Sequence, residues 1–175
     1  MTRPDPDECA AFYQKYIDEL PDQPILTLLE KQLLETRQLM QTLDDEQATF
    51  RYAPDKWSIK QMLGHLTDTE RVFCYRAMCF ARNDPGPLPT MDENTYVANA
   101  HFDNRALASL LEEYEHVRKA SIVFFASLTD EICTRRGVAN DCEFTVRVLP
   151  FIIAGHERHH LNVLHERYLS KLNLL

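Results

Sequence analysis

Near the end of the chain the residues read Ala154-Gly155-His156-Glu157-Arg158-His159-His160-Leu161. Neutral imidazole is a favoured ligand of Zn, Ni, Fe and Cu, and residues four apart stack on one helix face. His156 and His160 can therefore aim at one point. Leu149, Ile152, Ile153, Val163 and Leu164 bracket the pair on the same stripe, which turns both histidines toward an apolar interior. Imidazoles there are costly unless their nitrogens are satisfied, and a metal does this well. His65, in Met62-Leu63-Gly64-His65-Leu66, adds a third imidazole on an apolar stretch, beside a glycine that allows close helix approach. A lone histidine on such a face is more often a hydrogen-bonded core residue; three of them shift the balance to a shared ligand. Three protein ligands with positions left for water is the pattern of catalytic sites, whereas closed structural sites use four. The spacing thus predicts one divalent metal at His65, His156 and His160.

The same residues spell H-E-x-x-H, the metalloprotease signature in which Glu157 would be the general base. Those enzymes draw a third ligand from downstream, and neither His165 nor Glu166 is well placed for it. A peptidase is the minor alternative. His159 lies about 60° around the helix from His156, at a pocket wall or a helix interface. Tyr75 and Arg76 follow His65 by about three turns. Arg76 suits either an anionic substrate or, as the stronger reading, a structural ion pair. Glu157, His159, Arg76 and Tyr75 complete the catalytic candidates, none with an assigned role. Asp68 either orients the His65 imidazole or, more simply, is a solvated acid; Glu70 and Arg71 brace the interior through ion pairs. His101, His116 and His165 read as surface residues.

These side chains need helices to hold them. Residues 7–20 form a short helix ending before Pro21, and Ile25, Leu28, Leu29, Leu33 and Leu39 mark a long amphipathic helix to about Leu43. Ser58, with Gln61 three residues on, starts a second long helix through a capping box, running to about Ala81. Residues 83–103 are a long connection with one helical turn around Met91–Asn99. A third helix covers about Asn104–Leu128, with Leu107, Leu110, Leu111, Tyr114, Val117 and Ile122 as its stripe. Thr134–Glu143 suggests a small hairpin. Thr145 is the expected cap of a last helix to about Ser170, in which Pro150 should cost one hydrogen bond and bend the axis.

Of 175 residues, 45% are hydrophobic and four are glycine, which favours one helical domain over a β-rich or phosphate-cradling fold. The net charge of −8 opposes nucleic-acid binding, which needs a basic face. The polar N-terminus has no apolar signal core, and no stretch approaches the roughly 20 apolar residues of a membrane helix, so the expected location is cytoplasmic. Five cysteines without a CxxC pair fit a reduced compartment; Cys133 and Cys142 flank the hairpin turn and could approach one another.

Trp57-Ser58-Ile59-Lys60 through Gly64-His65-Leu66, then Thr69-Glu70-Arg71 and Tyr75-Arg76, close with Gly155-His156-Glu157 and His159-His160. Over about residues 25–170 this pattern resembles the DinB/YfiT-like superfamily, whose members include thiol transferases using bacillithiol or other low-molecular-weight thiols. The resemblance implies an all-α four-helix bundle of up-down-down-up topology with a long helix 2–helix 3 connection. It also implies a Zn, Ni or Fe site at His65, His156 and His160, and a homodimer. The function expected is that of a metal-dependent thiol S-transferase or hydrolase acting on a small molecule through a metal-bound thiolate or water. A low-molecular-weight thiol would be the co-substrate. The alternative is a non-catalytic helical module that binds a metal or ligand.

Overall fold

The structure, a computed structural model, describes residues 1–172. A short α1 (Ala11–Asp18) precedes four long helices: α2 (Ile25–Met40), α3 (Ile59–Ala81), α5 (Leu107–Ala126) and α7 (Val148–Val163). Between them lie α4 (Glu93–Ala100), α6 (Asp130–Cys133) and an antiparallel hairpin of β1 (Arg136–Ala139) and β2 (Cys142–Thr145). The four long helices form a bundle in which α5 packs on both α2 and α3, and α7 packs on both as well. Among the described residues no helix is long and apolar enough to cross a membrane.

Local chemistry sets most of the boundaries. Ser58 Oγ accepts from the Gln61 amide at 3.0 Å, and Gln61 Oε1 accepts from the Ser58 amide at 3.1 Å, the reciprocal cap that starts α3. Asn140 and Asp141 both take positive φ (52° and 56°), the conformation of a tight two-residue hairpin turn. The long connection after α3 holds more than one turn: Asp92 accepts from the Asn94 and Thr95 amides and caps the eight-residue α4.

Four expectations are corrected. The third long helix begins at Leu107 and not near Asn104, because Phe102–Asn104 is a separate tight turn and Asp45 caps the Leu107 amide from the α2–α3 connection at 2.9 Å. Its buried face continues from Tyr114 through Arg118, Ser121 and Phe125, leaving Val117 and Ile122 only partly buried. Arg118 extends the four-residue step from Tyr114, while Val117 falls about 100° off that line. Finally, α7 starts at Val148, since Thr145 is paired in β2, although its Oγ1 still accepts from the Val148 amide at 3.3 Å. Pro150 is then the third residue of the helix, where no intrahelical donor is required, so it forfeits no hydrogen bond.

The buried apolar side chains divide into two clusters. One gathers Leu28 and Leu29 of α2, Phe73 and Phe80 of α3, Phe125 of α5 and Leu149 and Ile152 of α7, together with Ile17 of α1. The other gathers Leu33 and Met40, Met62 and Leu63, Leu110 and Tyr114, and Leu161 and Leu164. On the four helices the polar residues fall between the two sets: Gln32 beside Leu33 on α2, His65 and Glu70 on α3, Arg118 on α5, and His156 and Glu157 on α7. A polar layer therefore crosses the middle of the bundle.

Candidate metal centre

The site is assembled from two helices of that layer. On α7, His156 and His160 are one turn apart, and their Nε2 atoms lie 3.1 Å from each other. From α3, His65 brings its Nε2 to 3.1 Å from the same His156 atom. The three rings meet at centroid distances of 4.5–5.0 Å, steeply inclined to one another, so their nitrogens and not their faces converge. On the far side of the His65 ring, Nδ1 is 3.4 Å from the Thr69 hydroxyl, one turn further along α3. The Trp57 ring lies 4.6 Å from His65 and the Tyr16 ring 5.8 Å from His156.

The donor set suits a divalent ion. Ligand nitrogens held about 2.1 Å from a metal sit about 3.0–3.4 Å apart for right-angle to tetrahedral spacing, and the 3.1 Å contacts fall in that interval. Burial pushes the His65 imidazole down to about 4, and burial with the neighbouring His65 and His159 takes His160 to about 3. His156, also desolvated and facing the other histidines, is held well below the usual histidine range. All three are neutral near pH 7, the form in which a ring nitrogen offers its lone pair.

The triad opens into a cavity of about 390 Å³, within the usual range of small-molecule sites. His159 and Arg76 line it, as do Tyr13 and Tyr16 of α1 and Asn140 of the hairpin turn. Gly155 lets α1 come this close: a Cβ there would stand 2.2 Å from the Tyr16 carbonyl oxygen.

The other predicted residues separate. Glu157 is buried and faces the core, where Oε1 accepts from the Thr36 and Tyr114 hydroxyls (2.6 and 2.5 Å) and Oε2 from Arg118 (2.6 Å). Both oxygens are engaged away from the cavity, so the general-base role in H-E-x-x-H is not met. Tyr75 is half exposed and does not line the cavity. Arg76 is buried there without a carboxylate partner among the described residues, which overturns the ion-pair reading. Asp68 pairs with Arg71 at 3.3 Å, and the place beside His65 Nδ1 belongs to Thr69. Glu70 and Arg71 do brace the bundle, Glu70 through Arg118 at 2.8 Å and Arg71 through Glu113 at 2.6 Å. His101, His116 and His165 are exposed, and all five cysteines, Cys133 and Cys142 included, are free.

Sequence reasoning missed the α1 wall and the Arg118 network. Phe12, Tyr13 and Tyr16 have the three- and four-residue spacing of a helix face, a signal that was there to read. Arg118 was hidden by its charge on a helix read for apolar residues.

A family model described as the DinB superfamily matches residues 28–164. Among solved structures the chain is similar to YfiT from Bacillus subtilis, described as a probable metal-dependent hydrolase with an unusual four-helix bundle topology. That similarity has a TM-score of 0.73 and 17% identity, covering 93% of this chain and 89% of the other. The chain is also similar to a mycothiol-dependent maleylpyruvate isomerase, with a TM-score of 0.69 and 11% identity over 90% of this chain and 69% of that one. The search of curated proteins gave no match. At these identities the two structures speak for the fold alone. The family match spans most of the sequence and includes all three histidines, whereas α1 lies before it. On that match, the chain belongs to the DinB superfamily.

Proposed function

We propose that this chain is a divalent-metal-dependent enzyme, a thiol S-transferase or hydrolase, acting on a small molecule in the cavity above His65, His156 and His160. The observation that carries this reading is the convergence of three neutral imidazole nitrogens at the floor of an aromatic-walled cavity. Zn, Ni or Fe in that place would supply Lewis-acid activation, lowering the pKa of a thiol or water brought to its open positions. The chain's own groups do the rest. Thr69 fixes the tilt of the His65 ring, and Trp57 shields the triad from bulk water on one side. His159, an imidazole of the wall outside the triad, would receive the proton released when a thiol or water ionises. The reading is in keeping with the description of one structural neighbour as a probable metal-dependent hydrolase and of another as a mycothiol-dependent isomerase.

The same proposal takes the long helices in up-down-down-up order. Its support is the order in which each helix meets the two apolar clusters: α2 and α7 run from the first to the second, α3 and α5 from the second to the first. It also takes the chain as one cytoplasmic domain that pairs as a homodimer and binds no nucleic acid. The exposed Tyr75 and Met78 of α3 and Val123 of neighbouring α5 support an interface, and the net charge of −8 supports the exclusion.

The test is turnover by the metal-loaded protein of a thiol with an electrophile such as 1-chloro-2,4-dinitrobenzene, and of an activated ester without thiol. The reading expects one of the two to be metal-dependent and lost in His65→Ala. Absence of both in fully loaded protein would favour a non-catalytic binding module.

A further inference from the structure

Two arginines are almost wholly buried, and the chain treats them differently. Arg118 is matched by the carboxylates of Glu70 and Glu157. Arg76, 4% exposed on α3, has no carboxylate beside it among the described residues. Its Nη2 donates to the Pro89 carbonyl oxygen at 3.0 Å, and its guanidinium carbon lies 5.5 Å from the Phe73 ring centre. The Tyr13 hydroxyl and the Cys142 thiol are the titratable groups near it. A buried cation without an anion is costly, and an arginine has five donors to satisfy. Burial pulls the Arg76 pKa down, the direction an arriving anion reverses.

Arg76 lines the cavity that opens on the three histidines. Among the described residues no other arginine or lysine lines it, and its one carboxylate, Glu93, belongs to a solvent-exposed residue of α4. The remaining walls are largely apolar or aromatic, with Tyr16, Trp57, Phe73 and Ile152 among them. We propose that Arg76 is a substrate-binding residue that takes the carboxylate of a small organic monocarboxylate with an apolar or aromatic body, whose reactive end reaches His65, His156 and His160. A planar guanidinium matches a carboxylate edge to edge, and a single cation balances a single negative charge. With the triad free of metal, the second charge of a phosphate would find no further arginine or lysine on these walls among the described residues.

This inference rests on the metalloenzyme reading only in making the carboxylate-bearing molecule the substrate, so it is tested on protein stripped of metal with EDTA. Phenylacetate, its uncharged isostere phenylacetamide, and inorganic phosphate are titrated by calorimetry and by NMR of the arginine Nε–H resonances. The expected result is a Kd for phenylacetate at least about tenfold below that for phenylacetamide, with the Arg76 resonance among those that shift. Arg76→Gln should remove the preference, and Arg76→Lys should keep part of it. Equal affinity for acid and amide, no binding of phenylacetate, tighter binding of phosphate, or a preference that survives in folded Arg76→Gln would overturn the assignment. Should Arg76→Gln fail to fold, the wild-type titration and the Arg76 resonance decide. Metal binding without carboxylate preference rejects this inference alone; carboxylate preference in a chain that takes no metal rejects only the metal reading.

Discussion

Arg118 donates to Glu70 through Nε and Nη2, to Glu157 through Nη2, and to the Leu29 carbonyl oxygen through Nη1 at 3.3 Å, with 1% of its surface exposed. Removing it strands two carboxylates in the core, so Arg118→Met should lower stability by about 3–5 kcal/mol, read from urea unfolding. Glu8 provides a pH-dependent counterpart near the N-terminus. Burial pushes its carboxyl up, but hydrogen bonds from Arg147, the Thr145 hydroxyl and the Asp5 amide outweigh that and hold it below the usual glutamate range. A depressed folded pKa gives stability that is present above the unfolded value of about 4.3 and lost as pH falls through the folded one. The stability difference between wild type and Glu8→Gln should accordingly be large at pH 7 and shrink in acid below about pH 4, as urea titrations at both ends would show. A difference independent of pH would remove the carboxylate from the account. At this scale the three histidines were legible because metal-binding side chains repeat with the helix. Arg118 was not, because partners 48 and 39 positions away in sequence decide what a charged residue does.

Among the elements, α1 has the most to teach. Its pattern predicts a short helix, and the observed Ala11–Asp18 falls inside the expected span, but the aromatic face of Phe12, Tyr13 and Tyr16 does not say by itself which cavity it lines. That role comes from packing: α1 lies against α7, with Gly155 under Tyr16. Gly155→Ala should push α1 outward, cost about 1–3 kcal/mol by overpacking, and lower the melting temperature by several degrees. Hydrogen exchange would show the loss of protection concentrated in α1, and an unchanged melting temperature and α1 protection would contradict the packing argument. The capping box at Ser58 and the Asn140-Asp141 turn were legible because their chemistry is contained within a few residues. The starts of α5 and α7 were displaced because Asp45 caps one from another segment and strand pairing claims Thr145 ahead of the other.

Across the whole molecule, the bundle is two apolar clusters separated by a polar layer, and that layer holds both the histidine triad and the Arg118 network. Sequence periodicity foretells four amphipathic helices but not this layering, since each helix contributes only one to three polar residues to it. The network of Arg118, Glu70 and Glu157 carries one positive and two negative formal charges, a net negative charge beside the triad that complements a cation. The central claim is that His65, His156 and His160 together hold one divalent ion. Elemental analysis of protein purified without chelator, for wild type and for His65→Ala, His156→Ala and His160→Ala, tests it most directly. The account predicts close to one metal per wild-type chain and loss of most of it in each folded variant; full occupancy in all three variants would contradict it.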